Sequence, residues 1–103
     1  MKTISYKEGL LKELSDPDYA AEYLAQALES GEQAVFLLAL KDVVEASGGA
    51  TTVAAQAHIQ RESLYKALSN RGNPRLTTLQ GILKALGLRM AVVPQAAPEA
   101  EIA

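Results

Sequence analysis

The chain reads as an all-α domain of five helices, closed by one short C-terminal β-strand. Apolar residues recur at helical spacing along its length. They run Ala20, Tyr23, Leu24, Ala27 and Leu28, then Val53, Ala54 and Ala57, then Leu64, Ala67 and Leu68, then Leu79, Ile82, Leu83 and Leu86. Turn and cap residues separate these stripes, notably Asp16-Pro17, Gly48-Gly49, Asn73-Pro74 and Gly87. With one Phe, four Tyr and no Trp in 103 residues, the core must be built from Leu, Ala and Val, enough for a single domain.

Residues 1–15 are read as an N-terminal arm, either extended or making a short turn that packs back on the body. Ile4 and Tyr6 alternate as a strand would, while Leu10, Leu11 and Leu14 suit one helical turn. The domain proper is expected over 16–94. Asp16 is placed as an N-cap with Pro17 in the first helical position, and this first helix stops near Ser30-Gly31. A second helix starts near Gly31-Glu32 and ends at about Ala46. Its middle, AVFLLAL, is apolar on nearly every side, so it is expected to lie centrally or to meet another chain over part of its surface. Ser47-Gly48-Gly49 closes it.

Thr51 or Thr52 is expected to cap the next helix. The turn Ala57-His58-Ile59-Gln60 follows, with His58 in a left-handed conformation that histidine tolerates better than most residues. Gln60 takes the N-cap of the following helix, although glutamine caps poorly. Residues 70–75, NRGNPR, form a loop. Thr77 or Thr78 is expected to cap the last helix, which Gly87 ends. Leu88 to Val93 reads as a strand stopped by Pro94, paired with the N-terminal arm or with its own copy in a second subunit. Residues 95–103 read as a flexible tail.

The totals exclude several classes. No cysteine is present, so neither a disulfide framework nor a thiolate metal site is available. No apolar run approaches the roughly 18 residues of a membrane span, and MKTISYKEGLL lacks a secretory apolar core; a cytoplasmic protein is expected. The single histidine has no partner for nucleophilic or metal chemistry, so no enzyme activity, metal or cofactor is expected. The net charge of −2 hides an asymmetry. Residues 1–50 hold four lysines against nine carboxylates, whereas 51–94 hold Arg61, Lys66, Arg71, Arg75, Lys84 and Arg89 against Glu62 alone. A basic half suits a polyanionic partner.

The stretch TTVAAQAHIQRESLYKALS carries the functional reading. Two short helices joined by a tight turn leave Gln60, Arg61, Glu62, Ser63, Tyr65 and Lys66 facing outward from the second. These are hydrogen-bonding side chains of the kind that read base edges and phosphates in the major groove of double-stranded DNA. Arg61 is the candidate for a bidentate guanine contact, and Glu62 for a cytosine amine or for rejecting wrong bases. Tyr65 and Lys66 lie one turn on, facing base or phosphate; the alternative for Tyr65 is packing on the following loop. Thr51 and Thr52 are placed to donate to phosphate, and Arg71 and Arg75 to hold it after the recognition helix.

This stretch resembles the helix-turn-helix of the Cro/cI-like phage-repressor superfamily. The wider chain, through DPDYAAEYLAQALESG, VFLLALKDVVEASGG and RESLYKALSNRGNPRLTTLQGILKALGLRMAV, resembles HigA-like antidote proteins of bacterial toxin–antitoxin modules. Related proteins usually have glycine where His58 stands and Ser or Thr where Gln60 stands. The resemblance implies a five-helix DNA-binding domain that acts as a homodimer on a near-palindromic operator. It further implies binding and silencing of a RelE/ParE-like (HigB-like) toxin, and association with the nucleoid when operator-bound. The acidic helix over Asp16–Ser30 and the N-terminal arm are the expected toxin-facing region. The competing readings are a stand-alone phage-type repressor without a toxin, and a small enzyme or scaffold.

Overall fold

Six α-helices follow one another in the computed structural model, which describes residues 5–96: α1 (Tyr6–Leu14), α2 (Pro17–Glu29), α3 (Gln33–Ala46), α4 (Ala50–Ala57), α5 (Arg61–Ala67) and α6 (Leu76–Ala85). The all-α class holds; the helix count is six rather than five, and no strand occurs among the described residues.

The extra helix is α1, where an extended arm or short turn was expected. Its start has a local cause. The Ser5 side chain accepts a hydrogen bond from the Glu8 backbone N–H (3.1 Å), and Glu8 stands at the third position of a capping box. Its stop is equally local, because Asp16 and Pro17 open α2 almost at once, with Asp16 accepting from the Asp18 N–H (3.0 Å). Leu14 is buried at the α1–α2 corner, so the segment packs back on the body as a helix. Ile4, expected to alternate with Tyr6 as a strand, lies outside the described residues; Tyr6 itself is helical.

The helices pack as two trios. α1, α2 and α3 contact one another; α4 contacts α5 and α6; α3 touches α4 and joins the halves. One apolar core runs through both, from Leu14, Leu24, Leu40 and Val43 to Val53, Leu64 and Ile82. α3 supplies the largest share: Leu37, Ala39, Leu40, Val43 and Val44 are buried. Its all-round apolar character is only partly used, because Leu38 is 61% exposed and Val35 39%. Tyr23 on α2 donates its hydroxyl proton to the Asp42 carboxylate on α3 (2.9 Å). Burial, then the hydrogen bond to Asp42, pushes the Tyr23 phenol up to about 12. A raised folded-state value makes this contribution full below pH 10 and lost as pH climbs through about 12.

Helix ends follow glycine geometry more than hydroxyl capping. α3 closes through Gly48 (φ 104°), and the Gly49 N–H reaches the Val44 carbonyl (3.0 Å). α6 closes at Gly87 (φ 78°), with the Leu88 N–H on the Leu83 carbonyl (2.8 Å). The expected threonine caps are not found. α4 starts at Ala50 with Gly49 (φ 91°) as its N-cap, which draws Thr51 and Thr52 inside the first turn. α6 starts at Leu76 with Arg75 as its N-cap, so Thr77 and Thr78 are also internal. Neither N-cap makes a side-chain hydrogen bond. In both cases the chain enters the helix earlier than a hydroxyl-based reading places it.

The strand expected over Leu88–Val93 is not found; the segment carries no regular secondary structure. No backbone hydrogen bond joins residues 89–96 to another described residue, and the segment is mostly exposed. Of the intramolecular partner expected for it in the N-terminal arm, Tyr6 is taken into α1 and Ile4 lies outside the described residues. Of the tail read at 95–103, Gln95 and Ala96 are described and exposed; the rest lies outside the described residues.

Candidate nucleic-acid interface

α4 and α5 are separated by only three residues, and the first of them makes the turn. His58 sits at φ 58°, ψ 39°, the left-handed region, and is the one non-glycine residue with positive φ among those described. The Ile59 N–H reaches back to the Ala54 carbonyl (3.0 Å), a closure of the type that Gly48 and Gly87 make elsewhere. Histidine holds this conformation at a cost of about 1–2 kcal/mol against a right-handed one. The His58→Gly variant removes that strain, while glycine's larger unfolded-state freedom returns up to about 1 kcal/mol. A net gain of about 0.5–1 kcal/mol is expected, read as a rise of several degrees in Tm; a fall in Tm would contradict it.

Gln60 then caps α5 in extended geometry (φ −73°, ψ 145°) without a side-chain hydrogen bond, leaving its amide free. α5 is only seven residues long, too short to stand as an isolated helix. It exists because Leu64 (0% exposed), Ala67 and Leu68 pack into the core beside Val53 and Ala54 of α4. That docking turns Arg61, Glu62, Ser63, Tyr65 and Lys66 outward, and all five are exposed.

Arg61 and Tyr65 form a unit one turn apart. The guanidinium lies 5.3 Å from the Tyr65 ring centroid, and Arg61 Nη2 donates to the Tyr65 hydroxyl (3.3 Å). An exposed cation–π contact contributes about 0.5–1 kcal/mol. It restricts the long arginine side chain while leaving most of its five donors unused. Tyr65 thus packs on Arg61, and half of its surface still faces solvent.

The structure keeps all ten expected DNA-contacting residues on the surface: Thr51, Thr52, Gln60, Arg61, Glu62, Ser63, Tyr65, Lys66, Arg71 and Arg75. Thr51 and Thr52 lie in the first turn of α4. Arg71 and Arg75 bracket the loop that follows α5. The six cations of residues 51–94 are all exposed, and none is ion-paired among the described residues; the ion pair found is Lys7–Glu45 (3.2 Å), between α1 and α3. Exposed cations without a neutralising carboxylate contribute a positive potential around themselves.

One anchor of this region is not visible in the sequence. Gln33, at the start of α3, donates its side-chain amide to the Gly72 carbonyl (2.7 Å) and lies 3.4 Å from Asn73 Oδ1. The loop bearing Arg71 and Arg75 is thereby tied to the other trio. The Tyr23–Asp42 bond was also missed, although Asp42 is the one carboxylate in the run from Ala34 to Val44, which is apolar but for it and Lys41. Among the described residues no group of His and carboxylate side chains is placed to hold a metal. No helix among them is long and apolar enough to cross a membrane.

Comparison with known proteins places these features in a family. The model of a family described as "Probable addiction module antidote protein" matches residues 7–94, spanning all six helices but for the first residue of α1. A Haemophilus influenzae Rd protein, named only "Uncharacterized protein", is 40% identical over 70 residues, which cover 68% of this chain and 71% of that relative. No solved structure matches the chain. By the extent of the family match, the chain belongs to the probable addiction module antidote proteins.

Proposed function

We propose that this chain is the DNA-binding antidote of a type II toxin–antitoxin module. In this reading it neutralises a RelE/ParE-like toxin and, as a homodimer on a near-palindromic operator, represses its own operon. The observation that carries the DNA-binding part is the outward polar side of α5, free of the body and backed by the buried Leu64. Two such helices about 34 Å apart would meet successive major grooves of one duplex. The toxin-binding part is supported by family membership, since an antidote implies a toxin. The acidic surface of α1 and α2 is complementary to a basic partner, with Glu8, Glu13, Asp16, Asp18, Glu22 and Glu29 all exposed.

Two measurements test the reading. Co-expression with the neighbouring toxin-sized reading frame is expected to relieve growth arrest and to give a complex that co-purifies; a neighbour that neither arrests growth nor binds sinks the toxin half. Binding to DNA from upstream of the chain's own gene tests the other half. The Arg61→Ala variant is expected to lose about ten- to a hundred-fold in specific affinity, the effect of one bidentate base contact. The Arg71→Ala and Arg75→Ala variants are expected to weaken all sequences alike, each lowering the salt slope by about one. An unchanged affinity in all three variants would remove α5 and its loop from the DNA interface.

A further inference from the structure

Arg71 and Arg75 stand on a loop that its own backbone holds only lightly. From Asn70 to Pro74 the chain makes one backbone–backbone hydrogen bond among the described residues, from the Gly72 N–H to the Ser69 carbonyl (2.8 Å). The Gly72 carbonyl receives no backbone N–H there; it accepts from the side-chain amide of Gln33, at the start of α3 in the opposite trio (2.7 Å). The same nitrogen lies 3.4 Å from Asn73 Oδ1. We propose that Gln33 is a positioning residue for DNA: its amide, reaching across the two trios, fixes the backbone from which Arg71 and Arg75 meet phosphate. This rests on the DNA-binding function proposed above, and adds to it a residue far from α5 in the chain.

The loop is built so that one added restraint suffices. Gly72 is buried, with no room for a Cβ beside the Ala67 carbonyl. Pro74 fixes its own φ and confines Asn73 before it to extended geometry. Holding the peptide plane between Gly72 and Asn73 therefore leaves few free torsions between the two arginines. Packing between the trios does not supply that hold. A groove of about 550 Å³ opens between α2, α3 and α6, and Gln33, Asn73 and Pro74 are among the residues that line it. The Gln33 amide is the group found to bridge this opening by hydrogen bonds among the described residues.

Phosphate contacts set the register of a protein on a duplex without reading its sequence. An arginine on a loose loop gives up backbone freedom as it binds, whereas one on a fixed loop has already lost it. The gain is bounded by the hydrogen bond that provides it, so removing the donor is expected to weaken binding by about three- to ten-fold. That loss falls on all sequences alike, because Arg71 and Arg75 are assigned to phosphate and not to bases. Gln33 is neutral and both arginines remain, so the salt slope is expected to stay as it is. This separates Gln33 from Arg71 and Arg75, whose removal lowers the slope.

The test compares the full chain with Gln33→Met, which keeps the unbranched stem and removes the donor, and with Gln26→Met, a control at an exposed position on α2. Without DNA, amide NMR relaxation is expected to show Arg71, Gly72, Asn73 and Arg75 as ordered as the helices in the unmodified chain and in the control. In Gln33→Met their order parameters are expected to fall below about 0.6, with helical circular dichroism intact. With DNA from upstream of the chain's own gene, Gln33→Met is expected to show the three- to ten-fold loss at an unchanged salt slope. In a chain that also carries Arg71→Ala and Arg75→Ala, compared at the same low salt, Gln33→Met is expected to cost nothing further, because Gln33 acts through those two side chains. A role confined to holding the fold would cost the same in both backgrounds. The inference is overturned if the loop stays ordered in Gln33→Met, or if the loss is equal with and without the arginines. An unmodified chain that binds no such DNA sinks the DNA half of the proposed function and this role with it. DNA binding that Gln33→Met leaves unchanged sinks this role alone.

Discussion

The Gly72→Ala variant is expected to lose roughly 3 kcal/mol or more of stability, a drop of more than about 10 °C in Tm for a domain of this size. Gly72 lies in the loop between α5 and α6, and it is buried. A Cβ built there would run into the Ala67 carbonyl oxygen, would sit 2.8 Å from the Ala67 carbonyl carbon and would press on the Lys66 carbonyl oxygen at 3.0 Å. All three atoms are backbone, so no side-chain rotation relieves the clash; either the end of α5 or the loop must move. Both are pinned. The Gly72 N–H bonds the Ser69 carbonyl (2.8 Å), and the Gly72 carbonyl accepts from Gln33 (2.7 Å). The argument is about space alone, since Gly72 is not among the positive-φ glycines. Gly9→Ala is the matched control. Nothing lies within 4 Å of its added Cβ, and alanine inside α1 favours the helix by about 0.5–1 kcal/mol. Urea titration of the two variants is expected to move their midpoints in opposite directions. Equal stabilities would mean the loop yields without cost.

This contrast also marks how far the sequence is legible. Features decided within one turn of chain were readable: Asp16 and Pro17 opening α2, Gly87 closing α6, and His58 taking the left-handed turn. Each depends on the local conformational freedom of one or two residues. The failures have local and non-local causes. α1 was readable in principle, since Ser5 and Glu8 spell a capping box; the alternation of Ile4 and Tyr6 obscured it. Thr51, Thr52, Thr77 and Thr78 offered hydroxyls at plausible starts, but Gly49 and Arg75 let each helix begin before them. The Leu88–Val93 pattern reads as a strand but is not one among the described residues, because a strand depends on a second segment that a pattern cannot supply. The Gln33–Gly72 anchor joins residues 39 apart and exists only once the two trios have docked. For the candidate site, helical periodicity showed which α5 residues face out. It did not show that Arg61 rests on Tyr65, because a four-residue spacing permits that contact without requiring it.

The Leu64→Ala variant is expected to lose about 3–5 kcal/mol, the cost of cavity formation at a fully enclosed site, and to take the proposed DNA binding with it. Leu64 is 0% exposed and packs in the same core as Val53 of α4 and Ile82 of α6. For a seven-residue helix this contact decides whether the helix forms, because so short a segment gains little from its own hydrogen bonds. Against a total of about 5–15 kcal/mol, such a loss brings the domain close to its unfolding threshold. The neighbouring Arg61→Ala change removes an exposed side chain whose hydrogen bond among the described residues goes to Tyr65, so its expected effect on stability is within about 0.5 kcal/mol. The two variants, three positions apart on one helix, should therefore separate two roles. Leu64→Ala should lower the urea midpoint, and its DNA affinity should recover in part at low temperature, where more of the chain is folded. Arg61→Ala should keep the midpoint and lose affinity at every temperature. If both lose stability equally, the outward side of α5 is holding the fold together and is not free to meet a duplex.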